Sequence, residues 1–280
     1  TARHPAGATG EFVFGNGRQY RSGVHASECA QRISGGFLTY ELMVPNFFDV
    51  VSLVSKTISG PGIAEPLKWT YGYGGAYERL WGSSGGAAIY PCTNCQTEKK
   101  TIVTNPDGTS TVYRYGAQYA LNEGRLLGSS VLDASGNTVR TSTTVHMTTA
   151  EVAGQPFAPT YGLIYGGDDP STAQVRPVVA EAVEQDGVAY QTTTLTFDAL
   201  ARPTRVNSSS ALGTRTDAIE YSDNRSLWIL GQQAKLTNED TGAVVVSTDY
   251  DALMRPLQVR SLGRLEQVLT YNGDGTVATV

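Results

Sequence analysis

Leu195-Thr196-Phe197-Asp198-Ala199-Leu200-Ala201-Arg202-Pro203-Thr204-Arg205-Val206 decides how this chain is read, because Thr248-Asp249-Tyr250-Asp251-Ala252-Leu253-Met254-Arg255-Pro256-Leu257-Gln258-Val259 repeats its plan. In both, an alternating strand ends in an aromatic, Asp follows, turn residues come next, and Arg-Pro opens a second strand. Glu220-Tyr221-Ser222-Asp223-Asn224 and Thr270-Tyr271-Asn272-Gly273-Asp274-Gly275-Thr276-Val277 are weaker echoes. With the aromatic as marker, the steps are roughly 24, 29 and 21 residues. Self-similarity at that period implies stacked supersecondary units rather than one compact catalytic fold.

Each residue of the unit has a mechanical reason. Phe197, Tyr221, Tyr250 and Tyr271 supply the flat, bulky side chain that a half-buried pleated surface accepts best. Asp198 and Asp251 can accept from backbone amides two residues on and so close a turn. Pro203 and Pro256 lack a donor, which suits the first residue of a strand. The unit is a β-hairpin whose aromatic locks to its neighbour across the strands. The predicted fold is all-β: a curved antiparallel sheet of successive hairpins.

The segments Tyr250-Asp251-Ala252-Leu253-Met254-Arg255-Pro256 and Phe197-Asp198-Ala199-Leu200-Ala201-Arg202-Pro203 resemble the tyrosine–aspartate (YD) repeats of the RHS family, whose core is Tyr-Asp-x-x-Gly-Arg. Thr101–Thr144 is also similar, in Asn105-Pro106-Asp107-Gly108 and Asn122-Glu123-Gly124-Arg125-Leu126-Leu127. The resemblance covers about Trp69 to Val280. It departs at one point: Ala201 and Met254 replace the turn glycine. Either those turns take another geometry, or a side-chain-bearing residue sits at positive φ.

The resemblance implies a wall segment of a hollow shell that encloses a C-terminal effector or toxin in a bacterial protein, secreted or displayed at the cell surface. The implied partner is the remainder of the parent RHS chain, with self-association through exposed strand edges. The family's self-cleavage core has no counterpart here, so the expected function is non-catalytic. Its residues are structural: Phe197, Asp198, Arg202, Tyr221, Tyr250, Asp251, Arg255 and Tyr271. The start at Thr1, the absence of a signal peptide and the stop at Val280, partway into a strand, read as an excerpt of a longer polypeptide.

At 280 residues, with 40% hydrophobic and 17% charged residues, the chain is long and apolar enough for a sizeable β core. A net charge of −5 gives no electrostatic reason to expect nucleic acid or an anionic membrane as partner. No apolar run approaches a membrane span; Val44–Ile58 is broken by Pro45, Asn46, Asp49 and Lys56. Cys92 and Cys95 lie in a Pro/Asn turn and read as a local loop disulfide or as two plain thiols. With Cys29 alone and His4, His25 and His146 far apart in sequence, they fall short of a zinc set. No cofactor is expected.

Four stretches organise the chain: N-terminal strands over 1–60, an aromatic and Gly-rich loop with hairpins over 61–150, a Pro-rich crossover over 151–180, and the YD-type repeats over 181–280. Gly15-Asn16-Gly17 predicts a hairpin between Phe12-Val13-Phe14 and Arg18-Gln19-Tyr20. Phe37–Val44 and Phe48–Ile58 read as strands covered on both faces. Gly60–Cys95 admits two readings. Trp69, Tyr73, Tyr77 and Trp81 could form a platform for carbohydrate or a partner surface. The plainer reading is a long loop pinned by aromatics over a sheet edge. Asn105-Pro106-Asp107-Gly108, Asp133-Ala134-Ser135-Gly136, Asp186-Gly187, Asp240-Thr241-Gly242 and Gly273-Asp274-Gly275 predict hairpin turns. Gln155–Pro177, with four prolines, reads as an irregular crossover.

Candidate chemistry is thin. Gly82-Ser83-Ser84-Gly85-Gly86 matches Gly-x-Ser-x-Gly, but that elbow needs a strand before it and a helix after it. Pro91 and flanking glycines argue against both, and His146 is the one downstream histidine for a triad with Ser84. Asp168, Asp169 and Asp274 lack the alternating oxygen donors of a calcium loop. A carboxylate recurring at every hairpin is explained by turn formation before glycoside hydrolysis.

Overall fold

A computed structural model describes residues 1–22, 29–34, 37–42, 47–73, 97–119, 121–161 and 174–280. Its strands are Ala2–Arg3 (β1), Thr9–Tyr20 (β2), Cys29–Ser34 (β3), Phe37–Leu42 (β4), Phe47–Ser59 (β5), Leu67–Gly72 (β6), Glu98–Thr104 (β7), Ser110–Gly116 (β8), Leu126–Leu132 (β9) and Thr138–His146 (β10). After one helical turn at Thr149–Val152 (α1) come Val178–Gln185 (β11), Val188–Phe197 (β12), Pro203–Ser210 (β13), Gly213–Asn224 (β14) and Ile229–Asn238 (β15). Ala243–Tyr250 (β16), Pro256–Ser261 (β17), Arg264–Val268 (β18), Thr270–Tyr271 (β19) and Val277–Thr279 (β20) complete the chain. Sixteen strands form one sheet in the order β1-β2-β5 and then consecutively to β18, while β3–β4 and β19–β20 are separate two-stranded hairpins. The fold is all-β, a succession of antiparallel hairpins that does not close into a barrel.

Local sequence explains the succession. Pro203 and Pro256 are the first residues of β13 and β17, where a missing donor costs no interior ladder bond. Asp186 and Gly187 take φ of 52° and 74°, the two positive values of a tight hairpin turn between β11 and β12. Two strands, β14 and β16, are shared by halves. β14 pairs with β13 through Gly213–Ala218 and with β15 through Asp217–Asn224. β16 likewise pairs first with β15 and then with β17. β14 and β16 thereby stitch their hairpins to the ones before them.

Three sequence expectations need correction. Gly15-Asn16-Gly17 is not a turn: β2 runs through it, paired along its whole length with β5. A long partner strand overrides the local turn signal there. A Cβ on Gly15 would lie 2.9 Å from a Val54 methyl, so a side chain would crowd that neighbour. β5 is not covered on both faces, since Val50, Val51 and Val54 are exposed, Val51 by 69%. Its apolar run reflects β propensity rather than double burial. Leu67–Gly72, assigned to a loop, is β6, paired with β5 and β7. The alternation Leu67-Lys68-Trp69-Thr70-Tyr71 is that of a strand.

Contacts divide the chain into two units: Thr1–Thr144 with Thr160–Gln174 and Glu184–Asp186, and Val145–Pro159 with Val175–Val183 and Gly187–Val280. In the first, Ser22 is fully buried and bridges Ala117 and Tyr119: its amide donates to Ala117 O at 2.9 Å and its carbonyl accepts from the Tyr119 amide at 2.8 Å. In the second, Met147, Val152, Phe157, Val175 and Phe197 make the core, with the Phe157 and Phe197 rings edge-to-face at 5.8 Å. α1 is held at its start by a capping box between Thr148 and Glu151. The Pro-rich stretch thus supplies core residues Phe157 and Val175.

Candidate functional site

One turn recurs six times among the described residues. In His4–Ala8, Asn105–Thr109, Asp133–Asn137, Asp198–Arg202, Asp251–Arg255 and Asn272–Thr276, the first residue's amide donates to the fifth's carbonyl and the fourth's amide donates to the first's carbonyl. The fourth residue has φ between 60° and 89° in every case. It is glycine in four turns, and Ala201 and Met254, both at φ 60°, in the other two. Those two turns therefore keep the common geometry and carry a side chain in the left-handed region.

Asp198 and Asp251 are superimposable in role. Each Oδ1 accepts from the amides two and four residues on, all at 2.9 Å. Each Oδ2 accepts from the Nε of its own Arg202 or Arg255 at 2.7 Å. The guanidinium then lies 4.3 Å over the ring of the next hairpin's tyrosine, Arg202 on Tyr221 and Arg255 on Tyr271. Arg202 does more: Nη1 and Nη2 donate to the two oxygens of Asp223 at 2.7 and 2.9 Å. Asp223 follows Tyr221 by two residues, not one, so it closes no five-residue turn and reaches back to its neighbour.

The aromatics form a ladder with a single rule. Phe197 is the register partner of Pro203, and the Tyr221 hydroxyl donates to Pro203 O at 2.9 Å. Tyr221 is the partner of Gln233, and the Tyr250 hydroxyl donates to Gln233 O at 2.9 Å. Tyr250 is the partner of Pro256, and the Tyr271 hydroxyl donates to Pro256 O at 2.8 Å. Each tyrosine therefore bonds the carbonyl opposite the aromatic of the hairpin before it. A register irregularity falls at each of the four aromatics, between Thr196 and Phe197, Glu220 and Tyr221, Asp249 and Tyr250, and Thr270 and Tyr271. A bulge re-aims a side chain, here toward the preceding hairpin.

The rule also holds where sequence reasoning missed it. Phe14 is the partner of Leu53, with a register shift beside it, and the Tyr73 hydroxyl donates to Leu53 O at 2.9 Å. Neither Phe14 nor Tyr73 is followed by Asp, so the aromatic-plus-aspartate signature passes over them. A bulge-placed aromatic, not the aspartate, is the general mark of the unit.

The carboxylates of these turns, and Asp223 beside them, are held below the usual range. For Asp223 the Arg202 fork, then the Gly231 amide, bring the pKa down to about 2. Burial works against Asp198, yet the Arg202 side chain and the amides of Arg202 and Leu200 still lower it. Asp251 is lowered first by the Arg255 backbone amide, Asp107 and Asp274 by the hydroxyls of Thr109 and Thr276, and Asp133 by the Asn137 side chain. Such groups are firm acceptors and weak bases at neutral pH.

Of the proposed platform, Trp69 has the Lys56 ammonium 3.9 Å over its ring and Tyr73 is a rung of the ladder. Tyr77 and Trp81 lie outside the described residues, as do Ser84, Cys92 and Cys95. His146 Nδ1 is 3.3 Å from Arg176 O. Among the described residues no three His, Cys, Asp or Glu side chains gather as a metal site, and no helix is long and apolar enough to cross a membrane. A shallow, hydroxyl-rich groove of about 390 Å³ lies over β12–β14, lined by Tyr190, Thr192, Ser208, Ser210 and Arg215, the last paired with Asp217 at 2.8 Å. No protein-family model matches this chain, and no curated protein matches it.

Proposed function

We propose that this chain is a non-catalytic wall segment of an RHS/YD-repeat protein of bacterial origin, secreted or cell-surface, which helps to enclose a C-terminal effector. The observation that carries the reading is the ladder: among the described residues, Asp198, Arg202, Asp223, Asp251, Arg255 and the tyrosine hydroxyls shape the hairpins and fix one to the next. Exposure supports it. Among the described residues, Phe14, Val51, Trp228 and Leu262 are each more than 60% exposed. A wall keeps two faces open, one toward a lumen and one outward, where a self-contained enzyme would bury one. The remaining partners follow: the rest of the parent chain, and self-association wherever an edge strand is left open.

Limited proteolysis of the parent polypeptide tests this. With the ladder intact, the region C-terminal to the repeats resists protease. With Tyr221→Ala, Tyr250→Ala and Tyr271→Ala combined, it is cut as fast as the denatured chain. Equal cleavage with and without the ladder would refute enclosure. Labelling of Ser84 by a fluorophosphonate would refute the non-catalytic part.

A further inference from the structure

We propose that Asn272 is a site of spontaneous covalent modification: the Gly273 amide displaces ammonia from its side chain, and the aspartate or isoaspartate that results loosens the β19–β20 hairpin. The inference goes beyond the wall reading and stands on the turn alone. Two of the six recurring turns are twins, Asn105-Pro106-Asp107-Gly108-Thr109 and Asn272-Gly273-Asp274-Gly275-Thr276. In both, the asparagine Nδ2 donates to the threonine hydroxyl oxygen, at 3.0 and 2.9 Å. In both, that hydroxyl donates to the aspartate Oδ1 at 2.7 Å, and the threonine amide donates to the same oxygen at 3.0 Å. The twins differ at their second position, and that position decides the chemistry. Pro106 has no N–H to attack the asparagine before it. Gly273 has one, and nothing lies within 4 Å of where a Cβ on it would stand. Asn272 and Gly273 are both exposed, so water reaches them.

In the reaction the Gly273 nitrogen loses its proton to solvent and bonds to Asn272 Cγ. The Cγ–Nδ2 bond breaks, and Nδ2 takes a proton from water and leaves as ammonia. One water then opens the cyclic imide. Cleavage between the nitrogen and Cγ gives aspartate, and cleavage between the nitrogen and the backbone carbonyl carbon gives isoaspartate. No oxidation or reduction is involved. The product does not fit the turn in which it is made. The Thr276 hydroxyl gives its one proton to Asp274, so its oxygen needs a donor from position 272, and a carboxylate brings none. Turns that begin with aspartate meet this need differently: their fifth residue is Asn137, Arg202 or Arg255, each donating to that carboxylate. Their third residue is Ser135, Leu200 or Leu253, never a second acid. Isoaspartate further lengthens the backbone inside the ring closed by the Asn272–Thr276 and Gly275–Asn272 bonds. The other Asn-Gly of the chain, Asn16-Gly17, lies within β2 opposite Val51 and Val50 of β5, so attack there requires the ladder to open.

The test ages the full 280-residue chain at neutral pH and body temperature and follows its tryptic peptides by mass spectrometry, reading the gain of O in place of NH. The expected result is conversion at Asn272 at least about tenfold faster than at Asn16 or Asn105, with part of the product methylated by isoaspartyl methyltransferase. Gly273→Pro, which copies the Pro106 turn, stops the conversion, and Pro106→Gly starts it at Asn105. Asn272→Asp, which carries the product's side chain from the outset, speeds hydrogen exchange at the Gly275 amide by about threefold or more, within the worth of one hydrogen bond. Conversion that persists in Gly273→Pro, or that is no faster at Asn272 than at Asn16, overturns the modification. Unchanged exchange both in Asn272→Asp and in the aged chain overturns the loosening. None of these outcomes touches the proteolysis result, so the modification and the wall can fail separately.

Discussion

The fork between Arg202 and Asp223 is the sharpest place to test how the hairpins are joined. Its two hydrogen bonds, 2.7 and 2.9 Å, link side chains that are each 20% exposed. Two unit charges about 4 Å apart attract by about 4 kcal/mol at an effective dielectric of about 20. Desolvation and solvent screening remove most of that, and fully exposed pairs retain about 0.2–1 kcal/mol. Bidentate geometry and partial burial place this pair near the top, so a coupling of about 1–1.5 kcal/mol is expected. The depressed pKa, which has the same contacts as its cause, sets an upper bound. A drop from 3.8 to about 2 corresponds to at most about 2.4 kcal/mol, shared with the Gly231 amide and reduced by screening. The assay is a double-mutant cycle of Arg202→Gln and Asp223→Asn by urea unfolding of the full chain. The matched control is Arg255→Gln, which removes the same in-turn bonds and ring stack but no fork. Arg202→Gln should cost about 1 kcal/mol more than Arg255→Gln. Because the folded pKa of Asp223 is depressed, its contribution is complete above about pH 4 and is lost as pH falls through about 2. Wild type and Asp223→Asn should therefore converge in stability over that window. A coupling under about 0.3 kcal/mol, or a constant difference down to pH 2, would refute the fork as a joint between hairpins.

Other perturbations follow from the same geometry. Met254→Gly should raise stability by about 0.5–1 kcal/mol in thermal unfolding, since it relieves a side chain at φ 60°. Ala201→Gly should gain less, because its methyl packs against the Phe197 core. Tyr221→Phe should cost about 1 kcal/mol by leaving Pro203 O without its donor, and Tyr271→Phe should cost less at the outermost rung. Thr148→Ala removes the cap of α1 and should cost about 1 kcal/mol, read by unfolding and by faster exchange at the Val152 amide. Hydrogen exchange over 187–280 should be slowest in β13–β15, which are paired on both sides, and fastest in β19–β20.

The fold was legible because its information is local. Asp198 to Pro203 and Asp251 to Pro256 each encode a turn within six residues, and no distant partner is needed to read it. The left-handed seat of Ala201 and Met254 was left open by sequence, since propensity alone favours glycine there; the aspartate's three bonds fix the turn whatever the fourth residue is. Gly15-Asn16-Gly17 misled because the force that straightens it comes from β5, roughly thirty-five residues away in the chain. The Leu67–Gly72 strand was hidden by the glycines that follow it. The carbonyls of Pro203, Gln233, Pro256 and Leu53 could not be found from sequence at all. A backbone acceptor has no residue-type signature, so the tyrosines were visible and their partners were not.

That asymmetry explains why so few side chains are buried among the described residues. A helix or sheet that hides an apolar face derives its order from many neighbours at once. Here each hairpin is ordered by its own aspartate and by the carbonyl of the hairpin before it, so the strongest terms act between nearest neighbours. In the second unit apolar burial is concentrated around the first aromatic of its four: Phe197 has no hydroxyl and lies in a cluster with Phe157, Met147 and Val175 instead. A packed aromatic thus stands in for the rung that Phe197 cannot make. From Tyr221 to Tyr271 a hydroxyl makes each rung, and Trp228, Leu253 and Leu262 between them stay exposed.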